Sequence, residues 1–564
     1  MNSPSPAIVI LGSGALQTAR RIQAVYPDAL VYGLGSRVEG CDRAYAEFGE
    51  TLRDLYRQAT PIIALCAAGI VIRTLAAVLQ EKGAEPPVLA VAEDGTAVVP
   101  LLGGLAGVNR MARVLGDALQ VNAAITTSGE LRFGTCLLNP PAGYALADLE
   151  QGKRFVSDLL AGEPVRIEGP APWLAGAQLP ETQGARLSIR VDSLAREASP
   201  DELLIHPRTL WAAVVGDAPD LPERVRQGLQ NAGLALSSLA GLLAPRAAMG
   251  ETGLRESALA LGVTLRFAEG ETPGQLMAAA LPEAMSRFSG PGLAIAETHE
   301  PVPCETVGQA RGRLAVIGLG PGAAELMAPA VKAELARATD VLGYETYIRM
   351  AGPFRADQVL HCTDNREEMQ RARHAFELAA QGRSVIVVSS GDPGVFAMAA
   401  AVLEALHESD EAAWHAVDLE ILPGISASLA TAAQAGAPLG HDFCVLSLSD
   451  NLKPWAIIEK RLALAAEADL AMAFYNPISR SRPWQLGRAL EIVREYRSAD
   501  TPVVLGRDIA RPGQSLRTLS LGELTPEMVD MRTMVLVGSS TTCTFDRVGG
   551  GQWVYTPRWY GHKP

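Results

Sequence analysis

Leu314-Ala-Val-Ile-Gly-Leu-Gly-Pro-Gly322, Val385-Ile-Val-Val-Ser-Ser-Gly-Asp-Pro-Gly394 and Ile421-Leu-Pro-Gly-Ile-Ser-Ala427 decide the fold of the C-terminal half. Each is a short apolar run that stops at a turn of small residues, and each is followed by helix-compatible sequence. Apolar runs this short, bounded by Gly and Pro, predict buried parallel strands. Their alternation with helical patterns predicts a doubly wound α/β sheet, whose ligands sit at the carboxyl ends of the strands. Three small-residue loops at that edge would let the backbone approach a ligand closely.

Working outward, the polar stretch from Glu300 to Gly312, with its Pro and Gly residues, places the main boundary just before the first of these strands. Upstream, Ala7-Ile-Val-Ile-Leu-Gly-Ser-Gly14 predicts a strand and a Gly turn, followed by a helix and a second strand. Pro61-Ile-Ile-Ala-Leu65 and Pro87-Val-Leu-Ala-Val-Ala92 predict further strands, the latter running into the hairpin signal Glu93-Asp-Gly95. Residues 161–183 are rich in Pro, Gly and Ala and read as a linker. Leu210-Trp-Ala-Ala-Val-Val-Gly216 opens another small α/β unit. The expected fold class is multidomain α/β. It has an N-terminal domain over 1–160, a connecting segment over 161–205, a second α/β domain over 206–300, and a two-lobed C-terminal half over 312–435 and 436–550.

A chain of 564 residues accommodates three to four domains. The net charge of −13 argues against a nucleic-acid partner held through phosphates. Seven scattered Cys without a CxxC pair fit reduced thiols rather than a disulfide framework or a metal cluster. Eight His residues show no HxxxH or HExxH spacing, so no metal site is expected. The first residues lack a basic region followed by an apolar core, and the apolar stretch 232–248 is short and interrupted by Ser, Pro and Arg. A cytoplasmic enzyme without a membrane partner is the expected class.

Three Gly turns invite phosphate readings. Gly12-Ser-Gly14 fits either a phosphate site or strand-to-helix packing. Gly103-Gly104, with Asn109 near a helix start, fits either an anion held on backbone amides or a tight loop before a capped helix. Gly318-Leu-Gly-Pro-Gly-Ala323 satisfies G-x-G-x-x-A, with Glu345 at a dinucleotide-like distance, so a nicotinamide oxidoreductase competes for the central strand.

A dinucleotide fold does not require Gly391-Asp-Pro393, Pro423-Gly-Ile-Ser-Ala427 or Phe474-Tyr-Asn-Pro477. Together these resemble the tetrapyrrole methylase family. Within it, the likeness is greatest to the C17-methyltransferases of precorrin-3B. That likeness is carried by Ser389-Ser-Gly-Asp-Pro-Gly-Val-Phe396, Leu446-Ser-Leu-Ser-Asp-Asn-Leu-Lys-Pro-Trp455, Phe474-Tyr-Asn-Pro-Ile-Ser-Arg480, Gly506-Arg-Asp508 and Thr533-Met-Val-Leu-Val-Gly-Ser-Ser540. It covers about 312–547.

The resemblance implies a homodimer that uses S-adenosyl-L-methionine to methylate the corrin precursor, contracting precorrin-3B (or its cobalt form, cobalt-precorrin-3) to precorrin-4. It assigns Pro321 to the border of cofactor and substrate. It gives Ser390, Gly391, Asp392 and Val395 to the methionine part, and Ser426, Ala427, Asn476 and Ile509 to the adenosine part. Ring contraction requires a proton acceptor and help for a lactone leaving group. Asp450, Ser449, Lys453 and His441 are the candidates. Asp450 and Lys453 are three apart and would share a helix face; alternatively Ser449 caps a helix whose first turn holds Asp450. Tyr344 and Glu345 end the second strand and would face the substrate trough. Arg480 and Arg507 would pair with the substrate's carboxylates, a task suited to guanidinium, although solvated Arg is commoner.

The N-terminal half resembles the cobalt-precorrin-5A hydrolase family. The matching residues are Ala67-Ala-Gly-Ile-Val-Ile-Arg73, Val99-Pro-Leu-Leu-Gly-Gly104, Gly107-Val-Asn109 and Thr126-Thr127. It departs from that family at Leu105, where a His is usual, and at Glu130, where an Asp is usual. Asp217-Ala-Pro219 and Pro245-Arg-Ala-Ala248 replace the Cys-Arg-rich turn and the Lys-containing segment of the family's second domain. Opening a lactone needs a group to activate water, so an impaired hydrolase-like half is expected. The alternatives are an active second enzyme and a module that retains or hands over an intermediate.

Overall fold

The strand Arg313–Gly318 is paired on both sides and is buried over its last five residues, as the apolar run predicts. A computed structural model describes residues 5–79, 85–216, 220–364 and 367–560. The chain divides into two units, residues 1–311 and 312–564.

The second unit opens with five parallel strands in the spatial order Val359–Thr363, Asp340–Tyr344, Ser384–Ser389, Arg313–Gly318 and Asp418–Leu422. Helices Glu368–Ala380 and Met398–His407 cover one face, around Phe376 and Val402. Pro329–Arg337 and Glu345–Ala351 cover the other, around Val331 and Ile348. In a dinucleotide fold the first two strands are neighbours and the Gly turn opens directly into a helix. Here Ser384–Ser389 lies between them, and a 3₁₀ turn, Ala324–Leu326, intervenes before Pro329–Arg337. Both differences remove the geometry that a nicotinamide site needs.

The second lobe is a mixed five-stranded sheet, ordered Phe443–Ser447, Ala471–Tyr475, Thr533–Val537, Pro502–Arg507 and Ser515–Ser520. Only the first pair is parallel. Helices Trp455–Glu467 and Gln485–Arg494 bury Leu462, Leu486 and Leu490 against one face. The helix Ala427–Ala435, which leaves the last strand of the first lobe, packs Ala432 and Ala435 on the other face with Val504 and Leu536. The strand ends of both lobes are therefore brought to one cleft.

In the first unit, six strands are ordered Arg43–Tyr45, Leu30–Leu34, Ala7–Ile10, Ile62–Leu65, Val88–Val91 and Val98–Leu102. All pairs are parallel except the last, the hairpin around Glu93-Asp-Gly95. The segment read as connecting carries real structure. Val165–Glu168, Leu187–Val191 and Glu202–Pro207 join Tyr144–Leu146 in a four-stranded sheet over a core that includes Phe133 and Phe155. The Pro- and Gly-rich stretches are the turns between those short strands. A second α/β layer follows, with strands ordered Thr264–Ala268, Leu239–Pro245, Leu210–Val214, Leu293–Glu297 and Met285–Gly290. Pro245-Arg-Ala-Ala248 forms the end of a strand and a 3₁₀ turn. Asp217-Ala-Pro219 lies outside the described residues.

Candidate functional site: a cleft lined by strand-end loops

The three loops quoted at the outset meet backbone to backbone. Gly320 N donates to Gly391 O at 3.1 Å and Gly391 N to Gly320 O at 2.8 Å, with φ of +75° and +69°. A Cβ at Gly318 would stand 2.4 Å from Gly391 O, and one at Gly424 would stand 2.1 Å from the same oxygen. No real Cβ tolerates such distances, so glycine is required by contact and not only by conformation.

Asp392 fastens this junction. Its Oδ1 accepts from Gly394 N at 2.8 Å and its Oδ2 from Gly424 N at 3.1 Å. Each oxygen keeps a further lone pair for a ligand cation. Beyond Gly424, the buried Ser426 shares a hydrogen bond with Ser428 at 3.1 Å. Tyr475 Oη accepts from Ser428 N at 3.1 Å and lies 3.1 Å from Ser428 Oγ. Asn476, the next residue, donates from Nδ2 to Ser447 Oγ at 3.1 Å. Asp392 is thus tied to the loop that carries Ser426, and that loop, through Ser428 and Tyr475, to the strand end that precedes Asn476. Ala427 opens the helix after Ser426, Ile509 is buried, and Val395 is half-buried in the loop that also carries the exposed Phe396.

Four residues here hold left-handed backbone without being glycine: Phe396, Asn476, Asp508 and Ala510, with φ between +51° and +62°. Such strain is costly and gathers where a site over-determines its loops.

On the second lobe, Ser449, Asp450 and Lys453 lie in the loop after Phe443–Ser447, at the edge that carries Asn476. They are not helical. The helix begins at Trp455 because Pro454, at φ −59° and ψ 141°, starts it and disfavours helical backbone at Lys453. Ser449 therefore caps nothing; its N–H donates to Ser447 Oγ at 3.3 Å. Asp450 accepts from Gln485 Nε2 at 3.2 and 3.3 Å. The Lys453 ammonium lies 6.0 Å from the centre of the Phe396 ring, reaching the first lobe's loop. Burial, and secondarily the nearby Arg461, lower its pKa below the ordinary lysine value. His441 is not in this group. It precedes Phe443–Ser447, at the far end of a strand roughly 16 Å long, and packs edge-on against Tyr560.

The substrate candidates divide similarly. Tyr344 ends its strand at the cleft edge, against Tyr347 with ring centres 5.4 Å apart. Glu345 turns back along its helix to pair with Arg349. Arg480 is exposed. Arg507 is committed within the protein: Nε donates to Asp530 at 2.8 Å and Nη1 to Asp508 at 3.1 Å. A substrate carboxylate would have to displace both.

Two contributors escape a sequence reading. Tyr475 stands inside Phe474-Tyr-Asn-Pro477, where its hydroxyl bonds were not visible. Arg511, at the tip of the hairpin between Pro502–Arg507 and Ser515–Ser520, donates from Nε to Pro321 O at 2.7 Å and from Nη2 to Ser390 Oγ at 3.1 Å. The only hint in the sequence is Gly322, where a Cβ would meet Arg511 Cγ at 2.6 Å.

The first unit holds a separate cleft of about 660 Å³, lined by Gly103, Gly104, Leu105, Thr127, Glu130 and Lys153 among others. Glu130 is almost wholly buried. It accepts from Asn109 Nδ2 at 2.7 Å and pairs with Arg113 at 2.7 Å. Asn109 also donates to Thr127 at 2.9 Å. Leu105 presents an exposed isobutyl group to this cleft. Among the described residues, no set of His, Cys, Asp and Glu could hold a metal, and no helix is long and apolar enough to cross a membrane.

Comparison with known proteins agrees with this division. Residues 313–525 match the family model for tetrapyrrole (corrin/porphyrin) methylases, and residues 50–130 match cobalamin synthesis G, N-terminal. A precorrin-3B C(17)-methyltransferase from Sinorhizobium is 50% identical over 249 residues, which are 44% of this chain and 97% of that protein. CobIJ, a cobalamin biosynthesis protein of Mycobacterium tuberculosis, is 47% identical over 253 residues, 44% of this chain but only 48% of its own length. The crystal structure of the methyltransferase CobJ is 55% identical over 44% of this chain and all of its own, with a TM-score of 0.41. With half its residues identical across almost the whole of the Sinorhizobium enzyme, the chain belongs, through its C-terminal unit, to the tetrapyrrole methylase family.

Proposed function

We propose that the C-terminal unit transfers the methyl group of S-adenosyl-L-methionine to C17 of a corrin precursor, precorrin-3B or its cobalt form, with ring contraction to precorrin-4. The observation that carries this is the junction where Gly318, Gly391 and Gly424 touch, which Asp392 fastens and which Ser428 and Tyr475 tie to the strand end before Asn476. The residues fit such a cofactor. Asp392 and Ser390 offer acceptors to an ammonium group, glycine turns let a ligand approach the backbone closely, and buried Ile509 and the Phe396 ring give apolar walls. When bound, the sulfonium supplies an electrophilic methyl group. The protein's part is orientation and exclusion of water rather than proton transfer at that carbon.

Contraction of the ring asks more. Asp450, which accepts from Gln485, is the group that would take the proton. Lys453, whose ammonium reaches toward the Phe396 ring and whose pKa is lowered by burial, would assist a departing lactone oxygen. Ser449 lines the same loop. Tyr344 and Arg480 remain the contacts for the substrate's edge; Glu345 and Arg507 serve structure instead.

The N-terminal half is read as a hydrolase-like domain without hydrolysis, because Leu105 puts a hydrocarbon at the cleft and Glu130 is held by Asn109 and Arg113. A homodimer in the cytoplasm completes the proposal, as in the family. Titration of the full chain with S-adenosylhomocysteine and with NADPH tests the cofactor. Binding of the first alone supports it, and binding of NADPH alone overturns it. Mass analysis of the product from metal-free and cobalt-loaded substrate then identifies the true substrate. A lactone-opening activity lost on removal of 1–311 would overturn the reading of the N-terminal half.

A further inference from the structure

We propose that Arg511 is a positioning residue for methyl transfer: it straps the second-lobe hairpin across two first-lobe loops and fixes where the cofactor lies. The inference rests on the methyltransferase reading and names a residue outside the motifs that carry it. Both of its side-chain hydrogen bonds end on cofactor loops, at Pro321 O and Ser390 Oγ. The two partners belong to different loops of the other lobe, 69 residues apart, so one planar guanidinium sets their spacing. A fork with fixed N–H directions does this; an ammonium on a flexible stem does not.

The tip that carries Arg511 is prepared for the task. Asp508 and Ala510 hold left-handed backbone on either side of the buried Ile509. Asp508 is gripped by Arg507 at 3.1 Å and Arg532 at 2.7 Å, and its carbonyl accepts from Arg511 N at 2.9 Å. Ala510 N donates to Gln514 Oε1 at 2.8 Å. The strained turn is thus locked before the guanidinium leaves it. On the receiving side, the aliphatic stem lies across Gly322, where a Cβ would stand 2.6 Å from Cγ and 2.8 Å from Nε. The absence of a side chain at 322 makes room for the strap.

The test is calorimetric titration of the full chain with S-adenosylhomocysteine, combined with steady-state methylation kinetics. Arg511→Ala is expected to weaken binding about tenfold or more, and to lower kcat as well as raise KM for the donor, because misplacement by about an ångström costs up to roughly a hundredfold. Arg511→Lys keeps the charge and should recover little. Gly322→Ala strains its own backbone, at φ +141°, in both backgrounds, and beyond that common cost it should weaken binding clearly more in the parent than when Arg511 is already Ala, the coupling expected of groups in contact. Should Arg511→Ala melt early, Arg511→Gln replaces it in the same cycle. Unchanged affinity in Arg511→Ala, full rescue by Lys, or an equal effect of Gly322→Ala in both backgrounds overturns the proposal. A parent protein that fails to bind S-adenosylhomocysteine refutes the methyltransferase reading itself, and this inference with it.

Discussion

Both halves of the chain build a cleft from glycine turns at strand ends, yet they spend their glycines differently. In the C-terminal unit the turns press on one another: Gly318 and Gly424 leave no room for a methyl group beside Gly391 O. In the N-terminal unit, Gly103 is pressed only against its neighbouring strand, where a Cβ would stand 2.5 Å from Pro86 O, and Gly104 at the cleft has nothing within 4 Å of where a Cβ would stand. Backbone strain follows the same division. The non-glycine left-handed residues of the first unit, Ala59 and Gln120, directly follow or end helices, an ordinary place for them. In the second unit Asp469 likewise follows a helix, but the other four, Phe396, Asn476, Asp508 and Ala510, lie in loops after strands around the cleft. Strain that no helix end explains, at loops tied by Asp392, Tyr475 and Arg511, marks the half that keeps a demanding geometry. The other half has a roomy cleft with its one buried carboxylate satisfied by its own side chains.

The contrast is broken most directly at Asp392. Exposed ion pairs contribute little to stability, but Asp392→Ala leaves the N–H groups of Gly394 and Gly424 without their acceptor and frees two loops at once. Methyl transfer should fall by about a hundredfold or more, with S-adenosylhomocysteine affinity falling in parallel; unchanged turnover would refute its assignment. Next comes a matched pair. Gly424→Ala should destabilise the C-terminal unit by about 1–3 kcal/mol through overpacking and abolish tight cofactor binding. Gly104→Ala should change neither stability nor binding by a measurable amount. Equal melting shifts for the two would erase the distinction drawn here.

Much of this was legible before any coordinates. The apolar runs ending in Gly318, Gly391 and Gly424 announced parallel strands with ligand loops because burial on both faces and close backbone approach leave a readable signature. The order of those strands was not legible: runs that are apolar throughout carry no mark of which neighbour they choose. The short strands Val165–Glu168 and Leu187–Val191 hid among Pro and Gly because four or five residues are too few to show a period. A shared helix face for Asp450 and Lys453 does not form, because Pro454 disfavours helical backbone at the residue before it. Arg507 looked free because its partners Asp508 and Asp530 come from turns whose packing is tertiary. Arg511 had no local pattern at all.

Smaller effects sharpen the comparison from the N-terminal side. Glu130→Ala strips buried Asn109 of one acceptor and the partly exposed Arg113 of its counter-ion. A cost of about 1–3 kcal/mol to the first unit is expected, while methyl transfer by the second stays at the parent rate; a matching loss of transfer would show that the two clefts are coupled. Arg507→Ala should leave KM for the corrin substrate within about twofold, since the guanidinium faces Asp530 and Asp508 rather than the cleft. A large rise in KM would restore it as a substrate contact.

The smallest effect concerns Lys453, and its sign can be worked out. Burial and the nearby Arg461 push its pKa down, so the folded protein holds this proton less tightly than the unfolded chain does. A lysine with a depressed folded pKa costs stability while it is protonated. The cost is complete below the folded value and fades as the pH climbs from there toward the ordinary lysine value near 10.5. The contact with the Phe396 ring, worth about 0.5–1 kcal/mol at such sites, offsets part of it. Lys453→Met keeps the stem against Phe396 and removes the charge. Its melting temperature should therefore exceed the parent's slightly at neutral pH, and the gap should close on the alkaline side. A gap that widens with pH would mean that the ammonium is stabilised by its surroundings. Lys453 would then be a structural cation, and the assistance to a leaving lactone oxygen would have to come from another group in the loop that carries Ser449 and Asp450.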